Sequence, residues 1–473
     1  MTILNLAPLA ALCLAVSALP STLDHRATTP SLASAEVVGL VSDPTWNRDS
    51  CTSIGLFGRE LWTCRDSQSS NAFISSSASW TDFNSSMLPK IDSAGVLEMY
   101  GDNSASEAYF PVQADECGPS AAGGCADGTR YAIWQDSRPM IAGNGSSSNA
   151  ALYTWIRRSH ISSDLSVLDP TPATSLYRSD YAMGLTSTQL PPVTLVNEYF
   201  WPQDSIPYGT YGWVQNGSYS YLYGLMTSVG SIALARVPTA SVEDPAAYEY
   251  YTASGYVNTP PANDDFDAVV PNAGTGGQGT FYYSAYFKSY VWVGIGAIGC
   301  NADFYVATAP APEGPWSTPA RFYMGEVGTA SCGAYSQQAH PELTNDDGLG
   351  NYIFVTYTKV DAGYSTPLIK ITWVLVLNPG HDLVSLKQKM EALAASSPNC
   401  AEILSKYRNK GDVDQIGEIR VRWGGKDKQF FPKETLVTEE NCEAVLRMLA
   451  LKPGEDVLDV GLEKSFSGTG GKK

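Results

Sequence analysis

The sequence predicts an all-β fold, a five-bladed β-propeller, followed by a small α+β extension. Three observations lead there: the near absence of helical periodicity over most of the chain, an internal repeat, and an abrupt change of composition near residue 380. From about Val37 to Leu377, short β-rich runs alternate with Gly, Pro, Asn and Ser. Glu60-Leu-Trp-Thr-Cys64, Ala151-Leu-Tyr-Thr-Trp-Ile156, Tyr219-Ser-Tyr-Leu-Tyr223, Tyr290-Val-Trp-Val-Gly294 and Tyr352-Ile-Phe-Val-Thr-Tyr357 are examples. Many short strands with regular turn signals suit a sandwich, a barrel or a propeller. A repeat selects among these. Trp46-Asn-Arg-Asp49-Ser50, Trp134-Gln-Asp136-Ser137 and Trp201-Pro-Gln-Asp204-Ser205 each place Asp-Ser just after Trp, with Asp spacings of 87 and 68 residues. Two further blocks begin near Gly279 and Tyr335. A unit of roughly 70 residues holds one four-stranded blade with long loops, and five units make five blades.

The ends of the chain read differently. Leu4 to Pro20 is apolar but too short to span a bilayer, and reads as a signal-peptide core. Residues 1–20 are therefore expected to be a signal peptide, residues 21–36 a linker or propeptide, and the product secreted and extracellular. Asn84, Asn144 and Asn216 each begin a glycosylation sequon. Six cysteines lie between the signal and residue 381, an even number that suits disulfides in an oxidising compartment. The expected pairs are sequence neighbours: Cys51 with Cys64, Cys117 with Cys125, Cys300 with Cys332. The formal charge of −18 sits wholly in residues 1–380, which hold 15 Lys+Arg against 33 Asp+Glu, whereas residues 381–473 hold 15 of each. This change marks a boundary near Asn378-Pro379-Gly380, with the propeller over 37–377. In 381–466, helices are expected over Val384–Ala394 and from Thr438 to Leu451, and strands at Glu418–Trp423 and Asp456–Val460. Residues 467–473 are expected to be disordered. The acidic part has no basic stripe, which argues against nucleic acid as a partner. No membrane partner is expected, and the chain is read as a monomer.

Several motifs resemble one family. Leu56-Phe-Gly-Arg-Glu-Leu-Trp-Thr-Cys-Arg-Asp66 resembles its first-blade strand turn, with Cys64-Arg65 standing where the family has Phe-Gly. Ile232-Ala-Leu-Ala-Arg-Val-Pro238 with Ala246-Ala-Tyr-Glu-Tyr-Tyr251 resembles its third blade, Ala309-Pro-Ala-Pro-Glu-Gly-Pro-Trp-Ser317 its fourth, and Gly333-Ala-Tyr335 through His340-Pro-Glu-Leu343 its fifth. Together they resemble domain-of-unknown-function family 4185, over about residues 37–377. That family is related in fold to the five-bladed furanosidases of glycoside hydrolase families 43 and 62, and some bacterial members are endo-acting D-arabinofuranases. The resemblance implies a funnel-shaped site for a furanose-containing polysaccharide of arabinan or arabinogalactan type.

Glycosidases use one carboxylic acid to protonate the leaving oxygen and a second carboxylate as base or nucleophile. The innermost strands of a propeller converge, so the repeat aspartates are expected to face one another. Asp49 is read as general base or nucleophile, Asp136 as the orienting carboxylate, and Asp204 as general acid with Glu198 as its competitor. Trp46, Trp134 and Trp201 are read either as sugar-stacking platforms or as blade-to-blade packing. Asp66 binds sugar hydroxyls or makes an ion pair; His340 and Glu342 mark the fifth-blade lead-in. Asp264-Asp265-Phe266-Asp267 lacks the Gly and distal Glu of a calcium loop, and no cofactor or metal is expected. The alternative to an enzyme is a non-catalytic carbohydrate-binding propeller.

Overall fold

A computed structural model describes residues 30–373 apart from 86–87, 119, 143–148, 183–184, 298 and 345–349. Beyond these it describes 383–390 without 385 and 389, then 413–423, 434–451 and 457–465. The signal peptide, the Asn144 sequon and the 467–473 tail lie outside the described residues. The chain divides into two compact units, the first ending at residue 374.

Among the described residues of the first unit, five main antiparallel sheets follow one another along the chain, beside two small ones, Asn47–Arg48 with Ser67–Gln68 and Phe73–Ile74, and Arg130–Ala132 with Ser159–Ile161. They open with the strands Cys51–Leu56, Met140–Ala142, Gly212–Asn216, Gly279–Ser284 and Ala334–His340. Each of the five runs quoted above becomes the second strand of one sheet: Arg59–Cys64, Asn149–Arg157, Tyr219–Met226, Ser289–Ile295 and Tyr352–Val360. A second strand has neighbours on both edges and packed layers on both faces. This is why these runs are apolar almost throughout, and why Ser289–Ile295 is buried at every position.

The apolar faces pack sheet on sheet. Trp80, Trp155 and Trp213 share a core across the first three sheets, and Tyr223, Phe281 and Trp292 join the third to the fourth. Phe304, Val355 and Trp373 join the fourth to the fifth; Phe354, Leu368 and Trp62 join the fifth to the first. The last sheet is completed by the start of the chain, where Leu32–Leu40 pairs antiparallel with Pro367–Trp373. That strand begins inside the stretch read as linker. No residue of this strand is fully buried, with Leu32, Ala35 and Val38 half-buried against the sheet and Val37 60% exposed, as suits an outer strand.

The three disulfides join Cys51–Cys64, Cys117–Cys125 and Cys300–Cys332, the pairs of sequence neighbours. Cys51 and Cys64 stand directly opposite in the first hairpin. Cys300–Cys332 spans 32 residues and closes the largest loop of the three. Replacing both of its cysteines by Ser is expected to cost about 3–4 kcal/mol from loop entropy. A chemical-denaturation curve superimposable on that of the parent would contradict this. Asn84 and Asn216 are both exposed, Asn216 at the tip of the third sheet's opening hairpin. Among the described residues, no helix is long and apolar enough to cross a membrane.

The second unit contains a three-stranded antiparallel sheet, Glu434–Leu436, Val413–Arg422 and Val457–Ser465, and a helix over Cys442–Leu451. Leu386, Ile419, Val421, Val445 and Leu446 form its core.

Candidate active site

Four opening strands bring polar side chains to one place through the residues at or just before their first positions. Asp49-Ser50 precedes the first sheet, Gln135-Asp136 the second and Gln278 the fourth, while Tyr335-Ser336 begins the fifth. Ser50 and Ser336 both hold left-handed backbone conformations, with φ of 43° and 59°. Such strain persists only where surrounding contacts impose it. Here the Ser50 N–H donates to Thr358 Oγ1 at 3.0 Å, and Ser50 Oγ lies 2.6 Å from both Ser336 Oγ and Asp49 Oδ1. Ser336 Oγ donates to Gln278 Oε1, and Gln278 Nε2 donates to Asp136 Oδ1 at 2.8 Å.

This chain of contacts constrains the protons. Asp136 takes the amide N–H of Gln278, so the amide oxygen faces Ser336, which must donate to it. Ser336 then accepts from Ser50. A hydroxyl has one proton, so Ser50 shares its proton between Ser336 Oγ and the Asp49 carboxylate, each 2.6 Å away. Burial raises the Asp49 pKa; Arg65 and the Ser50 and Tyr335 hydroxyls oppose it, and the nearby Asp66 charge adds to it.

Arginines hold the other carboxylates. Arg65, buried, pairs with Asp136, and Arg157 Nη2 reaches the other Asp136 oxygen at 3.0 Å. Arg130 grips Asp66 through both carboxylate oxygens. Asp66 and Asp49 are tied through the backbone, the Asp49 N–H donating to Asp66 O at 2.9 Å. The Trp134 ring lies under two guanidiniums, 5.8 Å from Arg65 and 5.7 Å from Arg130. Sequence reasoning missed Arg65, Arg130, Arg157, Gln278, Tyr335 and Ser336. Arg65 alone left a signal, as half of the Cys64-Arg65 departure from Phe-Gly.

The other expected residues are elsewhere. Asp204 is exposed on a left-handed turn (φ 64°), tied to Thr171, and does not join Asp49 and Asp136. The third Trp/Asp-Ser copy is displaced because Trp201 ends the last strand of the second sheet rather than leading into the third. Trp201 packs against Phe200, Tyr208 and Tyr248 in the core, its indole N–H donating to Tyr208 O at 2.8 Å. Glu198 belongs to a separate group with Asp115, Arg158 and Tyr199. There a hydrogen bond to Asp115 raises its pKa. Trp46 is buried beside a depression of about 360 Å³ that Asp43, Asn47 and Gln68 also line.

His340 is wholly buried, its two ring nitrogens each 2.7 Å from a hydroxyl, Ser53 Oγ and Thr356 Oγ1, and so it has no face for a ligand. Burial, assisted by Arg138, lowers its pKa to about 3. Glu342 pairs with Arg138, whose Nη2 also lies 3.3 Å from Phe281 O and whose guanidinium covers the Trp213 ring at 4.2 Å. Glu60, fully buried nearby, has its pKa raised well above the usual 4.5 by burial and then by Glu342. An acid that keeps its proton when folded but ionises when unfolded loses stability as pH rises above 4.5. His340, neutral when folded, loses stability as pH falls from 6.5 toward about 3. The two slopes oppose between these onsets. Glu60→Gln is therefore expected to lessen the loss of stability that sets in as pH rises from 4.5, by up to about 1.4 kcal/mol per pH unit relative to the parent. Melts of parent and variant at pH 4.5, 5.5 and 6.5 check this; an unchanged difference between the two proteins across these pH values would contradict it.

Among the described residues, no group of three or more His, Cys, Asp or Glu is arranged to hold a metal ion. No family model matches the chain, and no curated protein matches it, so the resemblance to family 4185 rests on its motifs alone. Solved structures do match. A Bacteroides ovatus protein classed provisionally as a hydrolase is 13% identical, with TM-score 0.48, over 71% of this chain and 87% of that one. A GH43_1 enzyme from Xanthomonas citri is 11% identical, with TM-score 0.39, over 71% of this chain and 89% of that one. An exo-beta-1,3-galactanase from Phanerochaete chrysosporium, solved with beta-1,3-galactotriose, is 11% identical, with TM-score 0.39, over 72% and 64%. At such identities and TM-scores the reading below rests on side-chain geometry.

Proposed function

We propose that the first unit is a five-bladed propeller that hydrolyses a glycosidic bond in a polysaccharide, with Asp49 as proton donor. The five sheets, the cores between consecutive sheets and the core between the fifth and the first support the propeller. The observation that carries the function is the meeting of Asp49, Asp66 and Asp136 around one buried arginine, Arg65, at the lead-ins of opening strands. Carboxylates in such different environments separate into protonated and ionised members, which acid/base cleavage requires. Burial favours the protonated form of Asp49. Asp66, held by Arg130, is the base or nucleophile, and Asp136, fixed by two arginines and Gln278, orients Arg65. This gives Asp49 the acid role instead of the base or nucleophile role read from its position in the sequence. The substrate class is a furanose-containing polysaccharide of arabinan or arabinogalactan type, and the protein acts outside the cell. The test is reducing-end release by the full chain from arabinan, arabinogalactan and D-arabinan. Asp66→Asn is expected to abolish release; release at the parental rate would remove Asp66 from the reaction.

One observation favours a binding propeller instead. Asp66 and Asp136 are both tied to arginines, and Thr210-Tyr211, ahead of the third sheet, supplies no carboxylate. Saturable glycan binding without any product from the parent chain would decide for that reading.

A further inference from the structure

The arginines of this site have a second consequence, which rests on the carbohydrate reading above. Arg65, Arg130 and Arg157 meet around Trp134 and Asp136 in a chain whose formal charge is −18. The three guanidiniums share two ion-paired carboxylates, Asp136 and Asp66. Of the three, Arg157 is the most open, its side chain 28% exposed against 9% for Arg65 and 18% for Arg130. It makes one ion-pair contact, from Nη2 to Asp136, and its Nε is buried without a hydrogen-bond partner. A guanidinium presents five N–H donors in a planar fork that matches a carboxylate. A neutral sugar has hydroxyls that donate as well as accept. A cluster in which three guanidiniums share two ion-paired carboxylates suits an acceptor-only group.

We propose that the site takes an acidic glycan, and that a uronate carboxylate docks on Arg157, with Arg65 and Arg130 behind it supplying the field. Arg157 is thus a specificity-determining residue.

The experiment uses the full chain and two probes: a uronate-bearing arabinogalactan, and the same polysaccharide after chemical reduction of its carboxyl groups. Binding is measured by calorimetry at low and at 0.5 M salt, with Arg157→Gln and Arg157→Lys checked for intact folding by near-ultraviolet circular dichroism. The expected result is at least tenfold weaker binding after carboxyl reduction. Arg157→Gln should show the same loss toward the native probe, with Arg157→Lys recovering part of it. High salt should weaken the native probe more than the reduced one. Equal affinity for native and reduced polysaccharide overturns the acidic-sugar inference and leaves the carbohydrate site standing. Binding of neither probe, nor of neutral arabinan, overturns the carbohydrate reading and this inference together.

Discussion

Asp49→Asn is expected to lower turnover by about 10²–10⁴-fold while leaving KM within a fewfold, because it removes one transferable proton and little else. Asparagine keeps the shape and still offers a partner to Ser50 and Tyr335, so the chain of contacts through Ser336 to Gln278 should survive. Because asparagine brings no charge into this buried position, the variant should not be destabilised, and melts of parent and variant should agree closely. The comparison that gives this meaning is with Asp204→Asn and Glu198→Gln. Asp204 is on an exposed turn and Glu198 belongs to the Asp115–Arg158 group. Both variants should turn over within about twofold of the parent, since surface changes away from the chemistry are nearly neutral. Parental turnover by Asp49→Asn, or collapse on Asp204→Asn, would place the chemistry elsewhere.

Arg138→Met is expected to cost up to about 3 kcal/mol of stability, the low end of the scale for removing one partner of a buried ion pair, because Glu342 is 32% exposed. Arg138 comes from the lead-in of the second sheet and is 7% exposed. It reaches Glu342 after the fifth opening strand, Phe281 O in the fourth sheet and the Trp213 ring in the third. Glu60, from the first sheet, lies within the same field. One side chain thus touches or influences every sheet. Methionine would fill the volume but leave Glu342 beside the buried Glu60 with no cation near them. Adding Glu342→Gln to Arg138→Met should recover part of the loss, since the stranded charge is then gone. Urea titrations of the single and double variants measure this; an additive double variant would show that the two residues do not act as a pair.

Much of the strand pattern was legible in the residues because second strands are buried on both sides. Runs such as Tyr290-Val-Trp-Val-Gly294 must be apolar at every position, and they stand out against polar loops. The disulfide pairs were legible for a similar local reason, two of the three closing short hairpins or loops. The site was legible only in part. Asp49 and Asp136 do converge, because each stands just ahead of an opening strand. Asp204 shares their short motif but follows an outer strand, and a three-residue pattern carries no information on strand order. His340 is where a fifth-strand end falls, but the ring is sealed by Trp62 and two hydroxyls, which depends on residues far away in sequence. The arginines were the least visible. Arg130 and Arg157 act across loops, and nothing near them in the chain announces a carboxylate partner.

The central claim is that Asp49 and Asp66, set by Arg65 and Asp136, cleave a polysaccharide. The most direct measurement is a time course of reducing ends and oligosaccharide products from uronate-bearing arabinogalactan, arabinan and D-arabinan, with full-length parent and Asp49→Asn in parallel. The account predicts steady product release from at least one of these by the parent and its near-complete loss in the variant. Binding with no product from any of them, or equal release by the two proteins, would contradict it.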